Sequence, residues 1–209
     1  MVGPQPPPGA DESELRLWLD EVNETMKFHP AHGLSMSCGT VTMDLKRALV
    51  LAIWNSRLKL YQLPKGRRNV DESMFAAALR ETYEETGLHV TPLKLDVTTR
   101  ATLPSTEQSG RAKTNPDVTE GHLSNEFVGA CLYPDPQSKT AAFKMVFFFV
   151  ATADSTTTPD SGTQEEWEDL NVKWIPLSEV ASTLRFGVEV ETVQKAVADL
   201  RKSGYAIAA

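Results

Sequence analysis

The sequence predicts a mixed α/β domain in which helices cover a sheet, and three observations carry that expectation. Apolar residues recur at helical spacing at both ends of the chain, at Leu15, Trp18, Leu19 and Val22 and again at Val190, Val193, Val197 and Leu200. Residues 34–43, 46–54 and 143–153 are rich in β-branched, aliphatic or aromatic side chains, as strands are. Strands and helices alternate without a regular βαβ rhythm or an internal repeat, which points to mixed layering.

Taken in order, residues 1–10 form a proline-rich tail that buries too little to fold, and 11–209 are expected to be one domain. Residues 11–26 read as an amphipathic helix, its stripe docked on the domain because its polar face is acidic and unsuited to a membrane surface. After a turn at Pro30–Gly33, the runs 34–43 and 46–54 form a hairpin, and a short strand follows at about 58–63. The next helix begins at Asp71 or Ser73, either of which can cap it, with Ala76–Ala78 small enough to lie close on a sheet. Residues 88–103 read as strand, and about 104–142 as a long loop, functional or inserted. The apolar run from Phe143 is a strand covered on both faces. A polar stretch at 154–169, a short strand at 172–175 and helices at 178–185 and 188–203 complete the chain.

Composition bounds the function. With 41% hydrophobic and 23% charged residues the chain is ordinary for a globular protein, and its net charge of −7 argues against general nucleic-acid or membrane-surface binding. Cys38 and Cys131 have no metal-type spacing and read as idle thiols in a reducing compartment. The start Met-Val-Gly-Pro-Gln-Pro-Pro-Pro-Gly lacks the pattern of a signal peptide, so a cytoplasmic or nucleocytoplasmic location is expected. Oligomeric state is left open. His29, His32, His89 and His122 are scattered and read as surface or core residues.

The chemistry concentrates in residues 66–88. On a helix, Glu81, Glu84 and Glu85 stand at i, i+3 and i+4, so three carboxylates share one face within a turn. Hard oxygen ligands at that density suit Mg²⁺ or Mn²⁺. Arg80 reaches Glu84 at i+4 and Glu72 at the loop-to-helix junction. Gly66 permits close backbone approach, and Gly87 can end the helix in the left-handed conformation.

This stretch resembles the Nudix box, G-x5-E-x7-R-E-U-x-E-E-x-G-U with U aliphatic. Gly66, Glu72, Arg80, Glu81, Glu84, Glu85, Gly87 and Leu88 occupy its fixed positions, while Thr82 stands at the first U, a packing concession. The resemblance implies an α/β/α sandwich with a mixed, partly rolled sheet and a loop-helix-loop catalytic motif. It implies that Glu81, Glu84 and Glu85, with the Gly66 carbonyl, ligate Mg²⁺, with Mn²⁺ a substitute, and that Glu72 and Arg80 brace loop against helix. A further acid outside the box often assists in this family; Glu165, Glu166, Glu168 and Asp169 are candidates by position.

The implied reaction is hydrolysis of a phosphoanhydride in a small phosphorylated molecule. From Leu45 through Val70 the chain carries Lys46, Arg47, Arg57, Lys59, Lys65, Arg67 and Arg68 and no acidic residue. Lys46 and Arg47 decorate a turn, whereas Lys65, Arg67 and Arg68 flank Gly66 and suit phosphates beyond the scissile pair. The Leu-Pro-Lys-Gly-Arg opening resembles members acting on diadenosine polyphosphates and diphosphoinositol polyphosphates. Pro104, 16 residues beyond Leu88, has a spacing similar to that of ADP-ribose pyrophosphatases. Nucleotide-sugar or prenyl diphosphate hydrolysis and a non-catalytic ligand sensor are the alternatives. Phe127, Tyr133 and Trp167 are aromatics that could stack a base or pack in the core.

Overall fold

A computed structural model describes residues 6, 8–104, 118–136, 138–139 and 142–208. Most of the proline-rich tail and the stretch 105–117 of the expected long loop lie outside the described residues.

Among the described residues, eight strands form one mixed sheet. Strand β1 (Leu34–Asp44) runs parallel to β9 (Phe143–Thr152) from Leu34↔Phe143 to Met43↔Thr152. On its other edge, β1 pairs antiparallel first with β4 (Lys65–Arg67), through Ser37↔Arg67, and then with β2 (Leu49–Asn55), through Met43↔Val50. The outer edge of β9 is divided in the same way, between β8 (Gly129–Pro134) and β5 (Thr91–Pro92). Strand β2 continues to β10 (Leu170–Pro176) and to β3 (Leu60–Gln62). A separate small ribbon joins β6 (Leu95–Asp96) to β7 (Leu123–Ser124).

Helix α2 (Met74–Thr86) lies on one face, where Ala77 and Ala78 pack with Cys38 and Phe149. Methyl side chains let this helix approach the sheet closely. The opposite face carries the larger core, in which Val41, Val146, Phe148 and Val150 meet Val180 and Leu184 from around α3 (Val180–Thr183) and Val193, Ala196, Val197 and Leu200 of α4 (Gly187–Lys202). Strand β9 thus contributes alternate residues to both cores, as its continuous apolar run predicts. The layering is the expected α/β/α sandwich.

Helix α1 (Glu12–Thr25) is built by local devices: Asp11 accepts from the Ser13 and Glu14 amides, and Glu14 accepts in return from the Asp11 amide. None of its residues is buried, and Leu17 and Leu19 are mostly exposed. The stripe is covered only in part, with Trp18 and Val22 half-buried and Leu15 and Leu19 exposed, while the capping box and the Arg16–Glu12 pair support the helix locally.

Two further expectations change. Residues 88–103 form only the short β5 and β6 and an isolated bridge at Thr99↔Thr119, because edge pairing with β9 stops after Pro92. The expected loop at 104–142 contains β7 and β8. Strand β8 was hidden in a Ser, Thr and Gly-rich context, and what selects it is the free outer edge of β9. Among the described residues no helix is long and apolar enough to cross a membrane.

Candidate active site

Strand β4 and helix α2 position the acidic residues. Ser73 caps α2 by accepting from the Ala76 amide, while Asp71 occupies a left-handed turn before it. Gly87 ends the helix at φ 68°, its amide bonded to the Tyr83 carbonyl. Within α2, Thr82 is fully buried; its hydroxyl donates to the Ala78 carbonyl at 2.8 Å. It thereby accepts from Thr40 on β1 at 2.8 Å, and Thr40 in turn meets Thr42. A threonine in the aliphatic slot thus ties helix to sheet, a role beyond the packing concession expected of it.

Gly66 and Glu81 touch. A Cβ on Gly66 would fall 1.7 Å from Glu81 Oε2, so only glycine leaves room for this carboxylate. Arg80 lies at the centre of the acidic group. Its Nε and Nη2 grip both oxygens of Glu72 at 2.8 and 2.9 Å, Nη1 donates to Glu81 at 2.8 Å and to Glu84 at 2.6 Å, and Nη2 also reaches the Arg67 carbonyl at 2.9 Å. The bond from Arg80 holds the Glu72 carboxyl below the usual range against burial, and the Glu72 contact in turn raises Arg80 further.

Glu85 goes elsewhere. Only 6% exposed, it accepts from the Lys65 amide at 2.7 Å. Burial pushes its carboxyl up to about 8 against the opposing charge and amide of Lys65, and the charges of Glu168 and Glu81 add to the rise. Burial also raises Glu81, against Arg80. Of the four loop acids, Glu168 stands within the electrostatic reach of both Glu81 and Glu85, whereas Glu165, Glu166 and Asp169 are exposed.

Helical spacing puts the three carboxylates on one face of α2, and the family resemblance implies that they share a metal ion. The side chains instead divide, Glu81 and Glu84 onto Arg80 and Glu85 onto the Lys65 amide. Among the described residues no three His, Cys, Asp or Glu side chains are gathered as a ligand set. The physical reason is that each carboxylate takes the nearest donor. The donor chemistry nonetheless fits a divalent cation: hard oxygens, three carboxylates that share the single guanidinium of Arg80, and a fourth buried beside Lys65.

The basic residues also divide. Lys65 Nζ faces Glu189 of α4 at 3.7 Å and is nearly buried. Arg67 lies 3.8 Å from Asp135 and is mostly exposed. Arg68 donates to the Glu72 carbonyl at 2.6 Å and so braces the loop. Lys46 does not enter the site, and Arg47 pairs with Asp44 and Asp154 at the hairpin turn. Phe127 packs edge-on against Phe147 at 5.1 Å, a core role, while Trp167 is exposed and Tyr133 half-buried. His89 stacks on Tyr83, and His29 meets Phe143 edge-on.

Glu189 was missed by sequence reasoning. Buried at 3% exposure, it accepts from the Leu63 amide at 3.1 Å and so anchors the β3–β4 connection that carries Lys65 and Gly66. An acid in the first turn of a helix reads as an ordinary dipole partner, so no local signal marks it.

Residues 34–193 match the family model described as the NUDIX domain. The chain belongs to the NUDIX family. A NUDIX hydrolase from Nitrosomonas europaea shares the fold at TM-score 0.51 and 14% identity, covering 82% of this chain and 92% of that one. An Ap4A hydrolase of C. elegans, solved as a binary complex, does so at TM-score 0.52 and 18% identity, over 80% of this chain and 98% of that one. The curated protein "Nucleoside diphosphate-linked moiety X motif 6" of Xenopus laevis is 29% identical over 79 residues, 38% of this chain and 36% of its own length. The match therefore spans about a third of that NUDIX relative.

Proposed function

We infer that this NUDIX chain is a divalent-metal-dependent hydrolase of a phosphoanhydride in a phosphate-rich small molecule, a diadenosine polyphosphate or a diphosphoinositol polyphosphate. The observation that carries the reading is the contact of Gly66 with Glu81, beside the buried Glu85. Glu81, Glu84, Glu85 and the Gly66 carbonyl would hold Mg²⁺, for which Mn²⁺ substitutes. Bound, the ion neutralises phosphoryl oxygens and makes water more acidic. The chain's own residues orient and hold protons: one glutamate of the group takes the proton as water attacks phosphorus and the anhydride P–O bond breaks. Arg80 and Glu72 keep the Gly66 loop against α2, and Arg68 supports Glu72 from behind. Lys65 and Arg67 favour substrates carrying further phosphates, in preference to ADP-ribose, nucleotide sugars or prenyl diphosphates.

One observation favours a second reading, a non-catalytic ligand sensor: Arg80 occupies Glu81 and Glu84 together. The test is a panel of diadenosine polyphosphates, diphosphoinositol polyphosphates, ADP-ribose and prenyl diphosphates, with and without Mg²⁺. Metal-dependent turnover that Glu85→Gln abolishes in a folded protein supports the hydrolase. Ligand binding without turnover anywhere on the panel establishes the sensor instead.

A further inference from the structure

The face of the sheet opposite α2 is apolar along most of its length, with Val41, Val150 and Phe148 under α4. Toward the start of β1 and β9 it turns polar. Residues paired across strands point to the same face, and alternate residues along a strand share it. One row therefore contains Tyr133, Lys144 and Ser35, and the next Cys131, Val146, Ser37 and Arg67. Lys65 follows beside Gly39. Gly66, between Lys65 and Arg67, points the other way, to Glu81.

Lys65 faces Glu189, and Arg67 faces Asp135. Lys144 is half-buried, yet among the described residues no carboxylate lies within 4.0 Å of its ammonium. Its surroundings include two like charges, Lys65 and Arg67, as well as Asp135 and Glu85. Ser37 supplies an independent sign. It is 0% exposed, and its Oγ makes no hydrogen bond. A buried hydroxyl without a partner and a desolvated lysine without a counter-ion each cost free energy unless an anion with acceptor oxygens completes them.

We propose that Lys144, with Arg67 and Ser37, forms a phosphate subsite on the sheet face opposite α2, holding a phosphoryl group beyond the one under attack. Arg67 supplies a fork for two oxygens and Lys144 a compact positive charge. Arg68 takes no part, since it is committed to the Glu72 carbonyl. The substrate class follows from the number of positions: three or more phosphoryl groups in one molecule engage the subsite and the Gly66 loop together, whereas a simple diphosphate reaches only the loop. This assignment of substrate rests on the hydrolase reading, but the subsite itself is testable without turnover.

The probe is inorganic tripolyphosphate, titrated calorimetrically into the intact, metal-free protein. Wild type binds it, Lys144→Met weakens binding by about tenfold or more, the loss of one charge-assisted hydrogen bond, and Lys144→Arg stays within about threefold. In turnover, Lys144→Met lowers kcat/KM for diadenosine tetraphosphate about tenfold more than for ADP-ribose. Absence of binding by wild type, equal binding by Lys144→Met, or equal weakening by the Met and Arg variants overturns the proposal. The two readings fail separately. Tripolyphosphate binding that depends on Lys144 in a protein that hydrolyses nothing leaves the subsite standing without the hydrolase. Turnover abolished by Glu85→Gln with unaltered binding in Lys144→Met leaves the hydrolase without the subsite.

Discussion

Replacing Gly66 by alanine tests the site with one methyl group. The added Cβ would stand 1.7 Å from Glu81 Oε2, 2.2 Å from Cδ and 2.7 Å from Oε1, where ordinary contact begins near 3.4 Å. The carboxylate must retreat by more than about 1 Å or β4 must lift off β1, since overpacking is relieved only by movement. Retreat breaks the 2.8 Å bond from Arg80 to Glu81. One charge-assisted bond and the repacking together cost about 2 kcal/mol, which for a chain of this size lowers Tm by roughly 4–8 °C. Displacing a positioned group by about 1 Å costs on the order of a hundredfold in rate. The assay pairs thermal unfolding with initial rates on the best substrate of the panel, with and without Mg²⁺. Gly129→Ala on β8 is the control, because a Cβ there meets nothing within 4 Å. A G66A protein within about threefold of wild-type activity and about 1 °C of its Tm would refute the reasoning.

Arg80→Lys is not conservative, because one ammonium cannot span Glu72, Glu81, Glu84 and the Arg67 carbonyl at once. After discounting for its quarter exposure it destabilises by about 2 kcal/mol, and a double-mutant cycle with Glu72→Gln gives a coupling of about 1 kcal/mol; simple additivity would exclude the network. Asp44 opposes burial with hydrogen bonds from the Ser155 amide and hydroxyl and from Arg47, which hold its carboxyl at about 2 rather than 3.8. A depressed pKa stabilises the fold above the unfolded value, and that contribution of about 2 kcal/mol disappears as pH falls through the folded one. The stability gap between wild type and Asp44→Asn should accordingly be full at pH 6 and close toward pH 2; a gap independent of pH contradicts the assignment. Deleting residues 1–26 should move Tm by less than about 1 °C, because α1 buries none of its residues, and a fall of several degrees in a melting scan would show that its stripe is docked after all.

Much of this architecture was legible from short-range patterns. The 3.6-residue period at Val190, Val193, Val197 and Leu200 marks α4, and the unbroken apolar run from Phe143 marks a strand with two covered faces. Strand β8 escaped because its residues have no strong strand composition and its pairing depends on an edge that lies nine to 19 residues later in the chain. The helix α1 was read correctly as a helix, but its stripe is covered only in part, at Trp18 and Val22, since amphipathic spacing reports a stripe and says nothing of what covers it.

At the site, sequence alone determined the elements that belong together within one turn or one loop: Glu81, Glu84 and Glu85 on α2, Gly66 before it, and Arg80 within reach of Glu72 and Glu84. Spacing along a helix is local geometry, so it needs no partner. Only the tertiary structure decided where each side chain went. The register of β4 on β1 sends Gly66 toward Glu81 and Lys65 and Arg67 to the opposite face, and a slip of one residue would exchange them. The same pairing brings in Glu189 and Lys144, which lie far along the chain and carry no local mark of their role. Strand register is set by contacts between distant segments, and no reading of neighbouring residues contains it.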